Sequence, residues 1–212
     1  MSLDELLSAL IYRSPPHIIE HLQIVSLSLF AAVLISFPLG IILTRHNYKH
    51  YGERVLAILN IGQTIPPLAV ICIFLPFFGI GTRPAVFALT IYALLPIARN
   101  TIAGLTSVPN DIKESARGMG MKGNEVLIQV ELPLSLPVIL TGIKTSAILT
   151  IGTATLAALV GAGGMGAVIF AGINFFKVEL VIAGTLVLAI MAIIFERMIT
   201  FFEIIILPKH MR

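Results

Sequence analysis

The sequence predicts an all-α integral membrane protein of about five transmembrane helices, and three observations carry that expectation. Of 212 residues, 57% are hydrophobic and only 12% charged, about half the charge that a soluble domain carries. Five stretches reach the roughly 20 apolar residues that a helix needs to cross the hydrocarbon layer. The alternation of a membrane barrel is missing, and lipid offers backbone groups no hydrogen-bond partner, so the spans must be helical.

Taken in order, residues 1–21 form an N-terminal interfacial segment. The opening "MSLDELLSALIYRSPPHIIEHL" lacks the basic start, apolar centre and small-residue cleavage site of a secretory signal. It reads as a short amphipathic element, broken at Pro15-Pro16, lying at a membrane surface. The spans follow at about 22–44, 55–80, 84–105, 136–160 and 180–207, with a tail at 208–212. Pro38, Pro66-Pro67, Pro76 and Pro96 are expected to bend or break them. Neighbouring helices must then satisfy the freed carbonyls, which implies a packed bundle rather than separate anchors. The glycine-rich stretch at about 161–179 is apolar but short. It is a re-entrant helix, a surface helix on the outer side, or part of a sixth span.

Basic residues set the orientation. Arg45, Lys49 and Arg54 lie between the first two spans. Lys113, Arg117 and Lys122 lie in the polar interruption, and Lys209 and Arg212 in the tail. Only Arg13, Arg83 and Lys177 fall on the alternate side. The asymmetry puts the N-terminus outside and the C-terminus, with the interruption, in the cytoplasm. It also accounts for the net charge of +3 without nucleic acid as a partner. Cys72 is the sole cysteine, so no internal disulfide or cysteine metal cluster can form.

The interruption, about 106–136, has the marks of two short helices in water. Pro109-Asn110 starts the first, with Asp111 and Glu114 near its positive end. Gly118 and Gly120 stop it. Gly123-Asn124 starts a second through "EVLIQVEL", which Pro133 and Pro137 are expected to close before the fourth span. Two stiff helices in the cytoplasm make a lever, and composition alone reads equally well as a solvated loop.

The spacing favours the lever. Glu114-Ser115-Ala116 is followed by three residues and Gly120, then nine residues, then Val130-Glu131-Leu132-Pro133. This resembles the glutamate-alanine-alanine (EAA) signature of ABC-importer permeases, with serine for the first alanine and valine for the usual isoleucine. "QTIPPLAV", "GIGTRPAVFAL", "YALLPIARNT" and "GIKTSAILTIGTATLAALVGAGGMG" look like the permeases of osmoprotectant importers, which carry glycine betaine, carnitine, choline or proline betaine. Methionine-importer permeases share the signature but resemble "QTIPPL" and "IARNT" less well. The resemblance runs over about residues 20–207 and implies a type I ABC importer fold of the methionine-importer kind, with the permease domain over 22–207.

In such families the loop sits in a groove of a cytoplasmic ATPase, and ATP-driven closure of two ATPases switches the pore between outward- and inward-facing. The resemblance implies that Glu114 meets a basic residue of the ATPase. It makes Gly120 the turn that lets the coupling helix bend away, and Leu132-Pro133 the stop that redirects the chain. It implies three kinds of partner: two ATPase subunits, a second permease chain, identical or related, and a separate extracellular solute-binding protein. This chain itself would be no enzyme and would carry no cofactor, ATP and magnesium belonging to the partner ATPase.

Other signals are weaker. "GAGGMG", residues 161–166, satisfies G-x-G-x-x-G but follows a span rather than a strand, so close helix packing or an outer turn explains it. "GIKTS" lacks the glycine spacing of a phosphate loop. His17 with His21, and His46 with His50, are each four apart but lack further ligands for a metal and read as interfacial polar residues. Lys144, Arg99 and Arg197 read as snorkelling side chains, with Arg197 a candidate partner for Glu196 or Glu203.

Asn60, Gln63, Thr64, Asn100, Thr101, Thr150, Thr153 and Thr155 are uncharged polar residues within spans. Such groups face the bundle interior, where they line a path or join helices. A weakly polar lining suits a zwitterion that must pass without sticking. An aromatic cage for a quaternary ammonium group belongs in the binding protein, since this chain has four Tyr and no Trp. Two other classes fit less well. A secondary transporter would show inverted repeats or intramembrane acids, and a membrane enzyme would gather His, Asp or Cys at one face.

Overall fold

The computed structural model describes residues 3–206, and the tail with Lys209 and Arg212 lies outside the described residues. Eight helices follow one another, and no strand occurs among the described residues. α1 spans Asp4–Thr44, α4 Thr82–Ser107 and α6 Gly123–Val160, each long and apolar enough to cross a membrane. α8, Val178–Ile206, is the fourth such helix. α2 (Lys49–Thr64) and α3 (Pro67–Phe78) together make a fifth, broken span, bent by 92°. α5 (Asn110–Gly118) is short and polar, and α7 (Met165–Asn174) is short and apolar.

Proline placement is where the chain departs from expectation. The break predicted at Pro15-Pro16 does not occur, because α1 passes through both residues. The turn Ala9–Arg13 before them widens to a π turn, and the Ser14 N–H reaches back five residues to the Ala9 carbonyl. A wider turn relieves the clash between a proline ring and the carbonyl four residues earlier. The same device recurs at Leu127–Glu131, where the Leu132 N–H reaches Leu127 O. α6 therefore runs on through Pro133 and Pro137, which do not close the second loop helix. Leu132-Pro133 is not a stop.

Pro38, Pro76 and Pro96 likewise sit inside unbroken helices. Only Pro66-Pro67 breaks a span. Ile65 is held extended by the proline after it (φ −73°, ψ 133°), and its freed carbonyl accepts the Tyr92 hydroxyl of α4. Pro96 leaves the Tyr92 carbonyl, four residues back, without its helical donor. Gln63 Nε2 of α2 donates to that oxygen at 2.7 Å. The two broken ladders thus repair each other across the α2–α4 contact, as a bilayer interior demands.

α4 is the centre of the bundle and packs between α1 and α6. Small residues let the backbones approach. A Cβ on Gly40 of α1 would lie 2.6 Å from Thr101 Cβ. One on Gly142 of α6 would lie 2.6 Å from Asn100 Cβ and 2.7 Å from Pro96 O. Serine hydroxyls add bonds between helices, Ser36 to Leu94 O at 3.0 Å and Ser146 to Ala93 O at 2.8 Å.

α7 resolves the glycine-rich stretch. Its 10 residues rise about 15 Å, half of a hydrocarbon core of about 30 Å, so it is not a sixth span. It packs on α8 and on the end of α6. Gly161, Gly163 and Gly164 all have positive φ in the turn that precedes it. The Glu20 carboxylate accepts the Gly164 N–H at 2.8 Å. His21 Nδ1 accepts the Met165 N–H at 3.3 Å, and its Nε2 donates to Ile151 O at 3.0 Å. "GAGGMG" is a close-packed turn gripped by α1. His21, read from sequence as an interfacial residue, is fully buried.

Candidate functional site

The polar segment folds into α5, a tight turn, and the root of α6. α5 begins after Pro109, whose extended backbone (φ −56°, ψ 139°) directs the chain out of α4, and carries Asp111 in its first turn. Its end explains the signature spacing. The Met121 N–H returns to Ala116 O at 3.2 Å and the Gly120 N–H to Arg117 O at 2.9 Å. That pair of bonds is a Schellman cap, which needs a left-handed residue one place before its last donor. Gly120 supplies it, at φ +91°. Ala116 and Gly120 are therefore the two ends of one cap, and Ala116 is buried.

Glu114 and Ser115 lie on the exposed side of α5. The Ser115 hydroxyl donates back to Asp111 O at 2.7 Å, while the Glu114 carboxylate faces a cavity of about 550 Å³. That cavity lies between the α1–α2 link and the loop, with Arg45, Lys49, Lys113 and Arg117 on its wall beside Glu114 and Glu131. Val130 and Leu132 are half-buried beside the π turn, and Pro133 follows in α6. The signature residues thus occupy two sites, the α5 cap and the α6 root, on either side of a four-residue turn.

Sequence reasoning missed the charge that joins this segment to the bundle. Glu131 is 4% exposed, and its carboxylate accepts Arg45 Nη2 at 2.5 Å across 86 residues of chain. Two signals were available: Arg45 directly follows an apolar span, and Glu131 is an acid flanked by apolar residues. A second pair, Lys144 Nζ to Glu203 at 2.5 Å, ties α6 to α8. Glu203 thus meets Lys144, where sequence suggested Arg197 as its partner.

The polar residues within spans divide by what they touch. Thr101 is fully buried, packed over Gly40, with its hydroxyl on Ile97 O. Asn100 packs over Gly142 and donates to Pro96 O at 2.8 Å. Gln63 is committed to the Tyr92 carbonyl. These three join helices. Asn60 and Thr64 are exposed one turn apart on α2, just before the break. Thr153 is half-buried near the end of α6, its hydroxyl on Leu149 O.

Comparison with known proteins extends this geometry. The family model for the binding-protein-dependent transport system inner membrane component matches residues 36–204. The chain is 40% identical over 193 residues to the glycine betaine/carnitine/choline transport system permease protein OpuCB of Bacillus subtilis (strain 168), covering 91% of this chain and 88% of that one. It is 43% identical over 183 residues to the osmoprotectant import permease protein OsmY of Salmonella typhimurium, covering 86% and 78%. Among solved structures, a chain of the inward-facing MetNI methionine ABC transporter superposes with a TM-score of 0.79 at 25% identity, over 98% of this chain and 100% of that one.

Proposed function

The chain belongs to the family of binding-protein-dependent transport system inner membrane components, and from that premise we propose that it is the permease subunit of an ATP-driven importer of small osmoprotectants. It is a multi-pass membrane protein and a transport component rather than an enzyme. Its substrate class is that of its relatives, glycine betaine, carnitine, choline or a related quaternary ammonium solute. The observation that carries this reading is 40% identity to such a permease over nine-tenths of the chain, joined to a signature whose spacing builds a real cap. The methionine transporter shares the fold at 25% identity and favours an amino-acid substrate less.

ATP and magnesium act on a partner subunit. Two cytoplasmic ATPases dock on the loop, with Glu114 meeting a basic residue and Ser115 and Ala116 lying on the docked helix. Gly120 closes the α5 cap, and Val130, Leu132 and Pro133 form the α6 root that receives the stroke. A second permease chain, identical or related, completes the pore, and an extracellular binding protein delivers the solute. The N-terminus lies outside and the C-terminus in the cytoplasm. The exposed Asn60 and Thr64 contribute to the path, with Gln63 beside them before the break at Pro66-Pro67 and Thr153 toward the end of α6. Asn100 and Thr101 support it from within the helix contacts.

The test is reconstitution of the chain with its cognate ATPase, sister permease where one exists, and binding protein. Labelled glycine betaine, carnitine, choline and methionine are offered in turn. The expected result is accumulation of a quaternary ammonium solute that needs both ATP and the binding protein. Uptake without ATP would point to a secondary transporter, and preference for methionine to the amino-acid class. Either result refutes the proposal.

A further inference from the structure

The stroke of a docked ATPase arrives at α5, yet the bundle moves as a unit only if that segment is fixed to more than the helices it directly continues. α5 joins α4 through Val108-Pro109, and the turn at Met119–Lys122 joins α6. Beyond these covalent links, Lys113 Nζ approaches Leu105 O at 3.5 Å, at the outer limit of a hydrogen bond. α1 touches the segment through Arg45 and Glu131.

That contact is built rather than casual. Arg45 immediately follows α1, and its N–H bonds back to Ile42 O at 3.0 Å. The Thr44 hydroxyl donates to Ile41 O at 2.7 Å and accepts Arg45 Nη2 at 2.9 Å. The guanidinium is therefore already folded over the last turn of α1 before it meets Glu131. The carboxylate sits in the π turn at the α6 root, the one turn of that region whose backbone ladder is widened. Exposed ion pairs contribute little because water competes for both charges. Glu131 is 4% exposed, so its charge is tolerated there only while the guanidinium stays in place.

We infer that Arg45 and Glu131 form a clasp that makes the cytoplasmic end of α1 and the root of α6 move together when the loop is pushed. Both are positioning residues that hold the lever to the bundle. This rests on the importer reading above, and it adds α1 to the elements that receive the stroke. Without the clasp, an ATPase still binds α5 and still hydrolyses ATP, but the displacement is spent in the loop.

The experiment uses the reconstituted complex and reads ATP hydrolysis and solute uptake on the same vesicles. Glu131→Gln keeps the shape and removes the charge, and Arg45→Gln removes the partner. Each variant is expected to assemble and to hydrolyse ATP within about twofold of the native complex. Solute moved per ATP is expected to fall about tenfold. Arg45→Lys keeps the charge and should recover much of the ratio, and the exchanged pair Arg45→Glu with Glu131→Arg should exceed either single reversal. Unchanged solute per ATP in both neutral variants overturns the clasp. If a neutral variant fails to assemble, the exchanged pair decides: recovered, coupled uptake supports the clasp and continued failure overturns it. A native complex without ATP-driven uptake would instead refute the importer reading, so the two failures are distinguishable.

Discussion

Replacing Gly120 tests the lever at the point where backbone conformation alone decides the outcome. The residue sits at φ +91°, and a Cβ built there meets nothing within 4 Å. Side-chain clash therefore contributes nothing, and the effect of Gly120→Ala is the intrinsic cost of a left-handed alanine, about 1–2 kcal/mol. The lower entropy of the unfolded loop offsets about 0.4–1 kcal/mol of this. A net of about 1 kcal/mol lowers the capped population roughly fivefold relative to the uncapped one. Asparagine visits the left-handed region more readily, although +91° lies beyond the usual centre near +57°. Valine, branched at Cβ, is the worst of the series. Uptake by the reconstituted complex, normalised to assembled ATPase, should then fall in the order glycine, asparagine, alanine, valine. If Gly120→Val transports as well as the native chain, the α5 cap does not carry the stroke and the assignment of Gly120 fails.

Two further predictions concern the scaffold. In α6 the same substitution should act with opposite signs: Gly142→Ala drives a methyl to within 2.6 Å of Asn100 and 2.7 Å of the Pro96 carbonyl, an overpacking that costs about 1–3 kcal/mol. Gly152→Ala meets nothing within 4 Å and should stabilise by about 0.5–1 kcal/mol. Heating the purified chain in detergent and measuring the fraction still monodisperse checks both, and equal melting points would sink the tight α4–α6 contact. At the end of α7, Phe176→Gly should stabilise by about 1 kcal/mol, since Phe176 holds φ +53° while 94% exposed; an unchanged or lower melting point by the same assay would refute the strain assigned to Phe176.

The α5 cap was readable in the sequence because its determinants are local. The spacing from Glu114 to Gly120 fixes a cap within one helix end, and the apolar lengths fix the spans. What could not be read was set by local backbone geometry that hydropathy does not record and by pairs far apart in the chain. A proline looks like a stop until the turn before it widens, as at Ala9–Arg13 and Leu127–Glu131, and that widening leaves no mark in hydropathy. Pro96 appeared to threaten α4 because its repair, Gln63, stands on another helix. His21 looked interfacial because its two partners, Ile151 and Met165, lie beyond a hundred residues away.

The three capped ends show how the chain separates structure from exposure. α5 ends at Gly120, α6 at Gly161 (φ +75°) and α7 at Phe176, each with the same crossed pair of backbone bonds. Glycine fills the left-handed position at two of them, the cheap solution. At the third a phenylalanine takes it, beside the exposed Ile173, Phe175 and Val178. An aromatic ring placed at conformational cost gains nothing from water. Next to this cluster, Lys177 Nζ lies 3.7 Å from the Glu5 carboxylate of α1. The polar residues inside the spans follow the complementary logic. Gln63 repairs a proline gap, Asn100 and Thr101 seat glycine contacts, and the hydroxyls of Thr64, Thr153 and Thr155 bond back to carbonyls three or four residues earlier in the chain.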